Sequence, residues 1–329
     1  MIEAAHLHKS FKLRKPGPRK GLRSLIGGPT FVKEAVRDVS FTIASGEFTG
    51  FIGPNGAGKS TTIKMLSGIL HPSSGSVRLG GIDPHRRRVE TARTLGVLFG
   101  QRTQLWWDLP LRDSFEVLGA MYRMDPQRRR ARLAELDGLL RLGEFLDTPV
   151  RKLSLGQRMR GDLAAALLHE PPILILDEPT IGLDVSAKRD IRSLLRSINE
   201  ELGTTILLTT HDMDDIEQLC GRVLVLTDGT LSYDGPIGGL RSRIGMPASI
   251  EATYRTLEQA QAAWSALQRL DSASLAAVGL QERTLTVQCS LEQSRFMDVL
   301  RKLEAYGELE DARMREADFE DAVQRLYAN

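Results

Sequence analysis

The run Gly53-Pro54-Asn55-Gly56-Ala57-Gly58-Lys59-Ser60-Thr61 constrains this chain more than any other stretch of it. It matches G-x-x-x-x-G-K-[ST], with the apolar Phe48–Ile52 before it and the helical segment Ser60–Leu70 after it. Glycines let the backbone wrap tightly round a phosphate with its N–H groups pointing inward. The helix starting near Ser60 adds the positive end of its dipole. Lys59 is placed to reach the β- and γ-phosphates of a nucleotide, and the Ser60 hydroxyl to ligand Mg²⁺.

Strand-like and helical segments alternate from there to about residue 235. Val77–Leu79, Val97–Phe99, Ile173–Leu176, Thr205–Thr209 and Val223–Leu226 read as strands. Arg112–Arg123, Gln127–Leu142, Gly161–Glu170, Ala187–Leu202 and Asp212–Leu219 read as helices, the third stopped by Pro171 and Pro172. This alternation predicts an α/β fold with a mostly parallel sheet covered on both faces. After residue 235 the character changes. Ile250, Ala252 and Tyr254 alternate, as do Leu285, Val287 and Cys289. Three stripes follow helical spacing: Leu257 to Leu267, Phe296 to Leu303, and Phe319 to Tyr327. A small α+β domain over 236–329 is expected beside a larger one over 1–235.

Composition excludes several classes. The net charge is +2 and 41% of residues are hydrophobic, which disfavours disorder and a dedicated nucleic-acid binder. The runs Ile173–Leu176 and Val223–Leu226 are four residues long and the longest unbroken apolar run, Leu163–Leu168, is six, far short of the roughly 20 residues of a membrane span. The start of the chain has the charges of Glu3 and Lys9 and no apolar core of a secretory signal. Cys220 and Cys289 read as buried thiols of a reducing compartment. Residues 12–33 hold seven Lys and Arg and no acid, with three prolines and four glycines. They read as an exposed basic insertion, either a solvated loop or a contact for anionic lipid or a partner.

A second acidic site follows the apolar strand Ile173–Leu176, which ends in Asp177-Glu178. Carboxylates at the carboxyl end of a parallel strand lie where such sheets bind ligands. Successive strand residues point to opposite sides. Asp177 can therefore support a Mg²⁺ shell beside Ser60 while Glu178 polarises an attacking water.

Taken together, these residues resemble the ATP-binding subunits of ABC transporters. The phosphate loop looks like the family's Walker A, and Leu176-Asp177-Glu178-Pro179-Thr180 like its Walker B. Leu153-Ser154-Leu155-Gly156-Gln157 resembles the LSGGQ signature; Gln157 stands 20 residues before Asp177, and the motif opens a helix with Met159, Leu163, Ala166 and Leu167 on one face. Gln101 falls where the Q-loop glutamine is expected. Gly182-Leu183-Asp184 looks like the D-loop, His211 like the switch histidine, and Phe11 like the aromatic A-loop residue that stacks on adenine. Gly50–Gly53 and Thr61–Leu66 are similar to drug-exporter-type members. Leu155 departs from the family's glycine. A left-handed backbone there would be strained.

The resemblance implies a P-loop ATPase domain with a helical subdomain at about 102–165. ATP and Mg²⁺ are the implied cofactors. Phe11, Gly53, Asn55, Gly56, Gly58, Lys59, Ser60 and Thr61 would hold nucleotide on one copy. Ser154, Gly156, Gln157 and Asp184 would cover it from a second copy of this chain, paired head to tail as a homodimer. Ser60, Gln101 and Asp177 would serve the metal, and Glu178, His211 and Gln101 the hydrolysis. A separate integral-membrane permease is implied, with this subunit peripheral to the cytoplasmic face of the inner membrane and no nucleic acid bound. Adjacent Trp106 and Trp107 read as a contact for that permease. Two other readings compete. A soluble ABC ATPase acting on ribosomes or DNA is disfavoured by a single phosphate loop and by only about 95 residues between Gly58 and the signature. A non-hydrolysing regulatory module is disfavoured by the presence of both Glu178 and His211.

Overall fold

The computed structural model describes residues 1–14, 30–100, 102–244, 248–268, 275–289 and 296–315, together with 320, 323 and 327. The chain divides into two compact units, Met1–Pro236 and Ile237–Asn329.

The first unit holds two sheets. β1 (Ile2–Arg14) lies between β2 (Thr30–Ile43) and β4 (Ser74–Leu79) in an antiparallel sheet. The second sheet takes the order β5-β6-β7-β3-β8-β9. It comprises β5 (Leu95–Phe99), β6 (Ile173–Asp177), β7 (Thr205–Thr209), β3 (Phe48–Ile52), β8 (Arg222–Thr227) and β9 (Thr230–Pro236). All its neighbours are parallel except the edge pair β8–β9. Strands β3 and β7 are buried along their whole length, as strands covered on both faces must be, and their sequences accordingly lack polar alternation. One core joins Leu7, Val39 and Ile43 of the antiparallel sheet to Phe51, Leu207 and Leu224 of the parallel one. Ile63 and Leu66 of helix α1 (Lys59–Leu66) fill the space between them.

Three further helices, α3 (Leu111–Met121), α4 (Pro126–Leu140) and α5 (Leu155–Leu167), occupy the stretch between β5 and β6. Asp125 caps α4 by accepting from the N–H groups of Gln127 and Arg128. Helix α6 (Val185–Leu202) precedes β7, α7 (Met213–Leu219) precedes β8, and the short α2 (Arg88–Thr94) precedes β5.

Two expectations are corrected. β1 and β2 run into the basic stretch from both sides, to Arg14 and from Thr30, so 12–33 is not one loop. The remainder of that stretch, 15–29, lies outside the described residues. The strands escape sequence reading because three register shifts interrupt the β1–β2 pairing, and these bulges break the two-residue apolar period. The bounds Gly161–Glu170 give way to Leu155–Leu167: the helix opens at the signature, as expected of that motif, where Ser154 and Gln157 form a capping box.

The second unit orders β10 (Ala248–Tyr254), α9 (Leu257–Gln268), β11 (Leu275–Gln281), β12 (Thr284–Cys289), α10 (Phe296–Glu304) and β13 (Leu309–Arg315) after the short α8 (Ile237–Ile244). Its antiparallel sheet runs β11-β12-β10-β13, the split βαβ arrangement of ferredoxin-like domains. Ile250, Ala252, Tyr254, Leu285 and Val287 of the sheet pack against Ala260, Ala263 and Val299 of the helices. The Tyr254 hydroxyl is buried there and donates to the Leu303 carbonyl at 2.9 Å. The third helical stripe falls largely outside the described residues, Phe319 and Leu326 included.

Candidate functional site

The phosphate loop leaves β3 at Ile52 and enters α1 at Lys59. Two of its glycines cannot be replaced without a clash. Gly53 has φ 157° and Gly58 φ 107°; a Cβ on Gly58 would stand 2.3 Å from the Ala35 carbonyl oxygen. At Gly58 the left-handed backbone also excludes other residues. Gly58 is the N-cap of α1 and offers no side chain to cap it, and the first turn holds no acid. The first N–H groups of α1 therefore have no intrahelical partner, which suits an anion. The buried Lys59 ammonium donates to the carbonyls of Gly53 and, at 3.2 Å, of Pro54. Burial pushes its pKa below the usual lysine value, and the nearby Glu178 and Asp177 partly oppose that shift.

A cleft of about 270 Å³ opens over this loop. Phe11, Asn55, Gly56, Gly58, Lys59, Ser60, Thr61, Asp177, Glu178 and His211 all line it. These come from β1, the loop, and the carboxyl ends of β6 and β7, which lie side by side in the sheet. Thr209 of β7 donates its hydroxyl to Asp177 Oδ1 at 2.5 Å. His211 Nε2 sits 2.9 Å from Glu178 Oε1. Glu178 itself has φ 54°, a left-handed backbone that costs a non-glycine residue on the order of 1 kcal/mol. Its N–H is held by the Thr209 carbonyl at 2.8 Å. Phe11 is braced on its own strand by Lys9, whose ammonium is 5.3 Å from the ring centroid and donates to the His71 carbonyl at 2.7 Å.

The donor set fits a nucleotide with a hard cation. Asp177 and Ser60 supply a carboxylate and a hydroxyl to the same cleft. Among the described residues no three His, Cys, Asp or Glu side chains converge on a metal position. A cation of the Mg²⁺ type, which keeps few protein ligands and takes the rest from phosphates and water, matches such a site.

Ser154, Gly156, Gln157 and Asp184 do not reach this cleft. They line a second one of about 200 Å³ with Arg160 and Ala187. Ser154 Oγ accepts from the Gln157 N–H at 3.2 Å, and Gln157 Oε1 from the Ser154 N–H at 2.9 Å. Asp184 Oδ1 accepts from the Ala187 N–H at 2.8 Å and caps α6. Leu155 occupies the first turn of α5 and is not among the left-handed residues, so the strain considered for it does not arise. Gln101 lies outside the described residues. Just beyond it, Thr103 Oγ1 and the Gln104 N–H donate to Asp162 Oδ1 of α5 at 2.8 and 3.2 Å. Trp106 and Trp107 are 38% and 49% exposed, and the Arg158 guanidinium of α5 lies 5.5 Å from the Trp107 ring centroid.

Two cleft residues were missed from sequence, Lys33 and Ala35, both of β2. Lys33 of β2 stands opposite Phe11 in the strand register and lines the same cleft. Its signal was hidden because it ends a basic run that reads as a loop, and only strand pairing sets it beside Phe11.

The sequence pattern of the ABC transporter family matches residues 36–181. The chain is 34% identical to the ABC transporter ATP-binding protein NatA of Bacillus subtilis over 64% of this chain and 85% of that one. It is 41% identical to the Nod factor export ATP-binding protein I of Paraburkholderia xenovorans, over 65% and 70%. It is 32% identical to the linearmycin resistance ATP-binding protein LnrL of Bacillus subtilis, over 69% and 73%. Among solved structures, a dimeric ATP-binding cassette in a post-hydrolysis state with ADP and Pi superposes with a TM-score of 0.59 at 28% identity, over 72% of this chain and 98% of that one. An ATP-binding subunit of an ABC transporter gives 0.60 at 27%, over 74% and 93%.

Proposed function

The chain belongs to the ABC transporter family as an ATP-binding subunit, and we propose a residue-level account of how its two clefts carry out that task. It binds and hydrolyses ATP and powers export through a membrane permease, in a dimeric cassette arrangement. None of its described helices is long and apolar enough to cross a membrane.

In our reading Phe11 stacks on adenine, and the amides of the loop from Gly53 to Thr61 and Lys59 hold the phosphates. Asn55, Gly56, Gly58 and Ser60 belong to the same cradle. Ser60, Asp177 and Gln101 hold Mg²⁺, which when bound neutralises charge on the β- and γ-phosphates. Glu178 orients the water and accepts its proton, while His211 fixes the Glu178 carboxylate and faces the γ-phosphate. Ser154, Gly156, Gln157 and Asp184 act on nucleotide held by a second copy of this chain. That assignment explains why they form their own cleft. Neither half alone neutralises the transferring phosphoryl group, so hydrolysis waits for the halves to close. The homodimer sits on the cytoplasmic face of the membrane, and exposed Trp106 and Trp107 contact the permease. Residues 1–236 are the nucleotide-binding domain and 237–329 an accessory domain.

The observation that carries this reading is the Glu178–His211 contact at 2.9 Å in the cleft that also holds Lys59. Glu178→Gln tests it: ATP should still bind and turnover should vanish. Turnover at the wild-type rate would remove Glu178 from its role.

A further inference from the structure

Asp215 is fully buried on α7, at 0% exposure. A buried carboxylate needs several donors to offset its lost hydration, and this one has three. Its Oδ2 accepts from the hydroxyls of Thr180 at 2.5 Å and Thr210 at 3.1 Å. Its Oδ1 accepts from Arg192 Nε of α6 at 2.5 Å. Thr180 and Thr210 are themselves only 2% and 3% exposed.

The two threonines matter because of where they stand. Thr180 lies two residues after Glu178, and Thr210 directly precedes His211. One oxygen atom therefore ties together the segments that carry the two halves of the Glu178–His211 contact. The Thr210 hydroxyl is used twice. It donates to Asp215 and accepts from the Asp212 N–H at 3.0 Å, which sets the turn that follows His211. Arg192 in turn spans Asp215 and Asp212, reaching Asp212 Oδ1 at 3.1 Å. Glu178 has a left-handed backbone, a conformation that persists only where its surroundings fix it.

We propose that Asp215 is a positioning residue for hydrolysis, its carboxylate holding the Thr180 and Thr210 segments so that Glu178 and His211 stay in register with the γ-phosphate. This rests on the roles given to Glu178 and His211 above. Asp215 touches no substrate and acts through its neighbours. An isosteric Asp215→Asn change cannot serve the same three donors. Its amide nitrogen must face either the Arg192 N–H or the two hydroxyls.

The test uses the full-length protein with Mg²⁺ and ATP, read by single-turnover phosphate release, ATP affinity and melting temperature. Thr210→Val deletes one arm and leaves the Arg192 pair in place, so it stands in if Asp215→Asn fails to fold. Both variants should lower the hydrolysis rate about tenfold or more and leave ATP affinity within about twofold. Thr210→Ser should restore the rate. In a His211→Ala background Thr210→Val should change the rate by less than about twofold, since the two then act on one element. A wild-type rate for Thr210→Val, an undiminished loss without His211, or a rate loss matched by lost ATP affinity would overturn the inference. Glu178→Gln, run in parallel, separates the two levels. Full turnover by that variant sinks the reading of Glu178 and this inference with it. A dead Glu178→Gln beside an unimpaired Thr210→Val sinks the inference alone.

Discussion

His211 Nε2 lies 2.9 Å from Glu178 Oε1, although 32 residues of helix and strand separate them in sequence. Adjacent parallel strands β6 and β7 bring them together, and the histidine can steady the carboxylate only at that separation. His211→Ala should therefore lower the rate of hydrolysis about 100-fold and leave ATP affinity nearly unchanged. Phosphate release set against nucleotide binding checks both halves. A His211→Ala protein that turns over normally would show that the contact is only structural.

Lys59 predicts a different pattern. Its ammonium is buried against the loop carbonyls, so removing it takes away a phosphate ligand without opening a core cavity. Lys59→Ala should raise the Kd for ATP by at least about tenfold, the loss of a charge-assisted contact. The melting temperature without nucleotide should hardly move, whereas the rise that ATP produces in the wild type should disappear. A preserved ATP-induced rise would show that phosphate is held elsewhere.

The first cleft was largely legible because its chemistry is local. The phosphate loop, Asp177-Glu178 and His211 each follow an apolar strand, and parallel sheets gather strand ends. Lys33 and Asp215 were not legible. Lys33 gains its place from β1–β2 pairing, which bulges conceal. Asp215 sits in Asp212-Met213-Asp214-Asp215, a run that reads as the solvated acidic start of a helix. Only the packing of α6 against α7 turns its last member inward. The two sheets show the same division: buried strands of the parallel sheet announce themselves as apolar runs, while irregular β1 and β2 do not.

Lys33 stands opposite Phe11 across the β1–β2 ribbon, and both face the nucleotide cleft. A cation there attracts a polyanionic ligand through a partly solvated path, so its contribution is modest and screened by salt. Lys33→Ala should raise the KM for ATP about threefold at low salt with kcat unchanged, and Lys33→Glu should raise it further. The difference from wild type should shrink near 0.5 M salt, where the Debye length falls to roughly 4 Å. An unchanged KM for Lys33→Glu at low salt would leave Phe11 without this neighbour's help.

Asp162 joins α5 to the segment after Gln101, and burial pushes its carboxyl up to about 6 from an ordinary 3.8, against the hydrogen bonds from Thr103 and Gln104 and the charge of Arg158 that pull it down. Below about pH 3.8 the folded and unfolded chains both keep this proton, and the group has no effect on stability. As pH rises toward 6 the unfolded chain releases the proton first, so stability falls. Above about pH 6 the full cost, on the order of 3 kcal/mol, is in place. Asp162→Asn keeps an oxygen to accept from Thr103 and Gln104 without the charge. It should melt about 5 °C above the wild type at pH 7.5, and the gap should close as pH falls below about 4. Melting curves across that range decide the matter. A gap that ignores pH, or a variant that melts lower at pH 7.5, would mean that the ionised carboxylate stabilises this junction more than its burial costs.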